Sequence, residues 1–114
     1  MNIARLLGFV FITLQSYEAK TITKVSFTGS EVIFSCESSF PPAWAKVNPK
    51  VGEYKTLAFA MSGQKHPNLK DPRISFSRSK SLHELRIERV SAADVGNYVC
   101  DGDQSSTFLL NVIR

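Results

Sequence analysis

Asp94-Val-Gly-Asn-Tyr-Val-Cys100 is the stretch on which the fold of this chain turns. Alternate side chains of an extended strand share a face, so Tyr98 and Cys100 point the same way. Gly96, just ahead of them, gives the backbone the freedom a tight turn demands. The only other cysteine is Cys36, in Glu31-Val-Ile-Phe-Ser-Cys-Glu37, where Val32, Phe34 and Cys36 alternate onto one face. The only tryptophan, Trp44, follows in Pro42-Ala-Trp-Ala-Lys-Val47, with Ala45 and Val47 on its opposite face.

Outward from these anchors the chain reads as short alternating runs broken by turn residues at intervals of about ten, the signature of an antiparallel all-β domain. Tyr54 to Met61 is a candidate strand, entered through the turn-forming Asn48-Pro-Lys-Val-Gly52. Residues 62–72 read as loop. Arg73-Ile-Ser-Phe-Ser77, Ser81 to Ile87, Asn97 to Asp101 and Thr107 to Ile113 each place apolar side chains on one face, and Lys20 to Phe27 supplies an N-terminal edge strand. Ser91-Ala-Ala-Asp94 has room for a single helical turn, and no segment sustains a helical period.

The 114 residues hold one domain once the first nineteen are set aside. Arg5 precedes an uninterrupted apolar run, Leu6 to Leu14, and small residues follow, as in a secretory leader with cleavage after Ser16 or after Ala19. The run is shorter than the roughly 20 residues a membrane-spanning helix needs. Residues 20–114 then form the domain, about 95 residues with a modest core. Export permits a disulfide, and two cysteines allow one intramolecular pairing, Cys36 with Cys100. Closing a loop of that length removes about 4 kcal/mol of unfolded-state entropy in the chain-entropy account. The formal net charge is +4, and losing Arg5 together with Glu18 leaves it unchanged. That mild basicity falls short of a nucleic-acid binder. The end at Asn111-Val-Ile-Arg114 carries no lipid-anchor signal, so neither direct membrane insertion nor nucleic acid is expected.

Cys36, Trp44 and Asp94-Val-Gly-Asn-Tyr-Val-Cys100 together resemble the immunoglobulin superfamily, with its Cys…Trp…Cys spacing and tyrosine corner. The resemblance implies a two-sheet antiparallel sandwich of variable or intermediate type (V-set or I-set). In it Cys36 and Cys100 bridge the sheets, Trp44 packs centrally, and the Tyr98 hydroxyl bonds back to the preceding turn. It also implies that Asp94 pairs with Arg73. The connection Ser38-Ser-Phe-Pro-Pro42 is short for a variable domain and does not serve as a long antigen-binding loop. Trp44-Ala-Lys46, Leu57-Ala-Phe59, Asp71-Pro-Arg-Ile-Ser-Phe76 and Leu85 to Cys100 are similar to the first domain of invertebrate neural adhesion proteins. These are the lachesins, amalgam, the Dpr-interacting proteins and their IgLON relatives. They continue into further immunoglobulin domains, and they pair through one sheet face, whose strands C, C′, F and G correspond here to the segments around Trp44, Leu57, Tyr98 and Leu109.

Catalytic chemistry finds no footing. His66 and His83 lack a companion cluster of metal ligands, the cysteines are committed to each other, and no serine stands in a Gly-x-Ser-x-Gly elbow. An enzyme, a cofactor and a metal are therefore not expected. With Trp44, Cys100 and Leu110 inward, Ala45, Val47, Val99 and Leu109 turn outward on the same sheet, joined by either Leu57 and Phe59 or Ala58 and Ala60. An apolar patch on a secreted domain marks a protein interface. Lys65, His66, Lys70, Arg73, Arg78 and Lys80 form a basic stretch that reads as a solvated loop, or else as a surface for an acidic partner. None of Asn2, Asn48, Asn68, Asn97 and Asn111 lies in a glycosylation sequon. The expected partner is an extracellular or cell-surface protein, such as another immunoglobulin domain, in adhesion or neuronal recognition. A soluble immune effector that binds foreign surfaces, or a single-domain decoy of an adhesion receptor, are the rival readings.

Overall fold

Eight strands are formed by the residues that the computed structural model describes, which are 20–48, 50 and 52–114. The expected leader, with both candidate cleavage points, lies outside them. The strands are β1 (Lys20–Phe27), β2 (Val32–Glu37), β3 (Ala43–Asn48), β4 (Glu53–Ala58), β5 (Ile74–Ser79), β6 (Leu82–Ile87), β7 (Gly96–Asp101) and β8 (Ser105–Ile113). A single 3-10 turn, Ala92–Asp94, precedes β7. One sheet runs β1-β8-β7-β3-β4 and the other β2-β6-β5. The Cys36–Cys100 disulfide ties β2 of the smaller sheet to β7 of the larger, with Cα atoms 6.7 Å apart. This is the immunoglobulin-like sandwich expected from the sequence.

The core is what the alternation dictates. Val32, Phe34 and Cys36 of β2 and Leu85 and Ile87 of β6 face Trp44 of β3, Tyr98 and Cys100 of β7 and Phe108 and Leu110 of β8. Phe34 stands at the centre, its ring 5.0 Å from that of Tyr98 and 4.9 Å from that of Phe108. Trp44 registers directly opposite Cys100 and stacks toward Phe108.

Two elements differ from the expectation. β1 pairs with β8 in parallel, from Lys20 opposite Ser106 to Phe27 opposite Ile113, so the larger sheet is mixed. Parallel and antiparallel neighbours impose the same alternation on an edge strand, and the sequence pattern does not separate them. β4 ends at Ala58 and not at Met61. A bulge places Ala58 opposite Trp44 but Thr56 opposite Ala45, which leaves Leu57 as the extra residue. Beyond it the chain folds back: Phe59 N–H donates to Gln64 O, His66 N–H to Leu57 O and Met61 N–H to Pro41 O. Met61 and Gly63 both adopt positive φ in that turn.

Candidate functional site

A charged clamp ties the start of β5 and the end of β6 to the turn before β7. Arg73 donates to both carboxylate oxygens of Asp94, at 2.9 and 3.0 Å, and to both of Asp71, at 2.8 and 3.1 Å. It also bonds the carbonyls of Glu88 and Arg89. These carboxylates, Asp94 foremost and then Asp71, raise the guanidinium further above its already high pKa. Asp71 sits below the usual carboxylate range because it accepts from Arg73. Burial alone would push Asp94 up, but the Arg73 hydrogen bonds, the Ser91 N–H and the charges of Arg73 and Lys46 outweigh it and hold the carboxyl low. The Tyr98 hydroxyl donates to the Asp94 carbonyl, and burial raises its pKa so far that it stays a donor. Lys46 lies over the Tyr98 ring and donates to Ala93 O; burial lowers its pKa against the opposing pull of Asp94. The pairing of Arg73 with Asp94 is thus found as expected. Asp71, the second carboxylate, was not anticipated, although it stands two residues from Arg73 in the same short segment.

Cross-strand register defines the outer face of the larger sheet. One row runs Thr56, Ala45, Val99, Thr107, Thr21, and the next Tyr54, Val47, Asn97, Leu109, Thr23. Below them Asn111 stands beside Val25, and Ile113 beside Phe27. No charged residue occupies these rows; Asp101, beside Ser105 and Ala43, is the first, at the upper rim. Val25, Phe27, Tyr54 and Ile113 are exposed, while Val47, Val99 and Leu109 are half-buried. Together they form an apolar band running obliquely from Tyr54 to Phe27.

The outer face of the smaller sheet is the opposite case. Its outward positions are Ile33, Ser35 and Glu37 on β2, Leu82, Glu84 and Arg86 on β6, and Ser75, Ser77 and Ser79 on β5. The Glu84 carboxylate accepts from the Ser35 and Ser77 hydroxyls, and Arg86 pairs with Glu31 at 3.7 Å. A sheet face wetted by water looks like this.

The expected face residues therefore separate. Val47, Val99 and Leu109 lie together in the band. Ala45 points the expected way but is 1 % exposed, between Val99 and Thr56, and forms floor instead of contact surface. Leu57 is corrected outright: with Tyr54 and Thr56 on the outer face alternation turns it into the core, where it is 2 % exposed, and the bulge buries Ala58 beside it. Phe59 is exposed but stands beyond β4, its ring 5.2 Å from that of His66. Val25, Phe27, Ile113 and Tyr54 were missed. The pairing of β1 with β8 would have been needed to place the first three. The basic stretch is mostly committed to internal bonds. Lys65 donates to the Asp71 and Ile74 carbonyls, Arg73 fills the clamp, and Arg78 donates to Lys80 O.

Loops lock the far end of the sandwich. Asp103 accepts from the Ser39 backbone and hydroxyl, and the Ser39 N–H foremost holds its carboxyl low. Among the described residues no group of three or more His, Cys, Asp or Glu gathers as a metal site. No family model matches the chain, and no curated protein matches it. The geometry by itself establishes an immunoglobulin-like sandwich whose two outer faces differ, one carrying charges and the other uncharged in its central rows, with an apolar band among threonines and asparagines.

Proposed function

We propose that this chain is a secreted recognition domain of the immunoglobulin superfamily that binds an extracellular or cell-surface protein through the outer face of β4, β3, β7, β8 and β1. It is a binding module and not an enzyme. The observation that carries the reading is the contrast between the faces. Nothing about strand chemistry requires Val47, Val99, Leu109, Val25 and Phe27 to share an uncharged surface while the opposite sheet carries Glu84, Arg86 and serines. A contiguous apolar patch costs solubility unless a partner covers it. The resemblance to neural adhesion domains supports a cell-surface protein as that partner, with adhesion or neuronal recognition as the setting.

A charge introduced at a desolvated centre loses its water and gains no counterpart, whereas on a free surface it costs little. Val47→Asp or Leu109→Glu should abolish capture of the partner found in a cell-surface binding screen, with the melting temperature kept within a few degrees. Arg86→Glu, on the polar face, should bind as the parent does. Intact binding in both face variants would remove this assignment. Loss equal to theirs in Arg86→Glu would move the site to the other sheet.

A further inference from the structure

β1 is joined to the sandwich on one side. It stands at the end of the larger sheet, and among the described residues β8 is the strand it pairs with. None of its side chains belongs to the buried core, and all but Ser26 are exposed. The bond that continues the ladder past its end shows which backbone groups the pairing uses: Thr28 N–H donates to Ile113 O. Successive residues of a strand turn their backbone groups to alternate sides. Ser26, Lys24, Ile22 and Lys20 therefore address β8, as Thr28 does. The N–H and C=O groups of Thr21, Thr23 and Val25 point the other way, along a free edge. Phe27 shares that orientation, and its carbonyl accepts from Ser30 N–H instead of from β8.

A strand edge with unpaired donors and acceptors is a template for a further strand. The side chains of Thr21, Thr23, Val25 and Phe27 lie on the outer face, where Val25 is 61 % exposed and Phe27 63 %. Lys20, Ile22, Lys24 and Ser26 lie on the inner side, and the two lysines decide how a second β1 can approach. Antiparallel pairing about a twofold axis at Lys24 sets that lysine against itself, and an axis at Ile22 sets Lys20 against Lys24. Like charges directly opposite destabilise a strand pair. An axis at Ser26 leaves only residues 25–27 inside both strands, because β1 ends at Phe27. An axis at Thr23 leaves Phe27 beyond the facing strand, which starts at Lys20. With the axis at Val25 no lysine faces a lysine. Lys24 meets Ser26, Phe27 crosses Thr23, and Val25 packs on its own copy.

We propose that two copies of this chain associate edge to edge, β1 antiparallel to β1 about a twofold axis at Val25, so that their larger sheets join into one. The contact uses the strand edge and leaves Val47 and Leu109 open, so it stands or falls separately from the outer-face reading. The axis runs through the sheet, and the uncharged rows of both copies come to lie on the same side of it. The strands overlap over a short length, so the dimer is weak and depends on concentration.

Sedimentation velocity on the purified protein from roughly 1 μM to 1 mM should show monomer giving way to dimer. Val25→Pro deletes a donor on the free edge, where a strand tolerates proline, and should weaken association roughly tenfold or more. Leu109→Glu should associate as the parent does. Amide exchange gives the strand-level signature: raising the concentration should slow Thr23 and Val25, and leave Lys24 and Ser26, already bonded to β8, unchanged. Monomer throughout the range overturns the proposal, as does a dimer that Val25→Pro leaves intact. A dimer lost in Leu109→Glu but kept in Val25→Pro would mean that the copies meet face to face. Should Val25→Pro fail to fold, the exchange pattern of the parent protein decides: slowing confined to alternate residues of β1 supports the edge, and its absence overturns it.

Discussion

Arg73 lies between two carboxylates and two carbonyls, and the two carboxylates are not equivalent. The Asp94 side chain is 7 % exposed and the arginine 22 %, so breaking their pair from one side strands a charge largely shielded from water. Such a break costs about 3 kcal/mol or somewhat more. Asp71 is a third exposed, and its share is screened to about 1 kcal/mol or less. Asp94→Asn should therefore lower the melting temperature by roughly ten degrees or more, and Asp71→Asn by a few degrees. The effect also has a pH signature. Both carboxyls titrate below the ordinary aspartate value of 3.8, so the unfolded chain binds their protons more readily than the folded one. Their stabilisation is complete above that value and is lost as pH falls through the lower folded values. Melts from neutral pH to pH 2 should show parent and Asp94→Asn converging at the acid end; a constant gap would mean the pair does not titrate as described. At this scale two cysteines allowed a single pairing, Cys36 with Cys100, whereas the partners of Tyr98 and Asp94 were legible only through the resemblance to the immunoglobulin superfamily. It was silent on Asp71 because two aspartates near one arginine look alike until the fold shows which is buried.

Strands and turns were legible as elements but not as neighbours. Alternation located every strand, yet it carries no information on the direction of β1 beside β8, and a single bulge in β4 reverses the parity of all that follows it. Leu57 was misplaced because alternation left open which parity of β4 faces out, and the bulge, by burying Ala58 as well, leaves neither of the two readings whole. The β7–β8 turn shows how tightly the elements interlock. A Cβ added to Gly102 would lie 2.7 Å from Ser38 Cβ and 3.2 Å from Pro42 Cβ. Ser38 is itself buried, with its carbonyl against His83 and its hydroxyl accepting from the Phe40 and Asp103 amides. It has nowhere to retreat. Gly102→Ala should thus destabilise by about 1–3 kcal/mol, the range of core overpacking. Chemical denaturation is the measurement, and an unchanged midpoint would show that the turn swings clear of Ser38 at no cost.

Taken whole, the molecule divides its chemistry between two skins. One carries charges, with Glu84 bonded to Ser35 and Ser77; the other is uncharged in its central rows on a chain whose formal net charge is +4. The sequence announced that division only in part, because the band depends on β1, whose exposed Val25 and Phe27 become a surface only when laid beside Asn111 and Ile113. That same parallel pairing has a mechanical consequence. In a parallel pair the first residue of β1 and the last residue of β8 lie at opposite ends of the sandwich. Tension applied at the two ends of the domain therefore pulls the strands past each other and strains their hydrogen bonds in shear, all together, where an antiparallel pair would unzip one bond at a time. The Cys36–Cys100 bridge removes everything between those residues from the extensible length. Pulled from its ends by optical tweezers, the oxidised protein should yield in one abrupt event and lengthen only by residues 20–36 and 100–114. Lys24→Pro, which deletes a backbone donor within β1, should lower the yield force if its N–H faces β8. A gradual yield at low force in the parent would mean that the β1–β8 pair does not carry the tension.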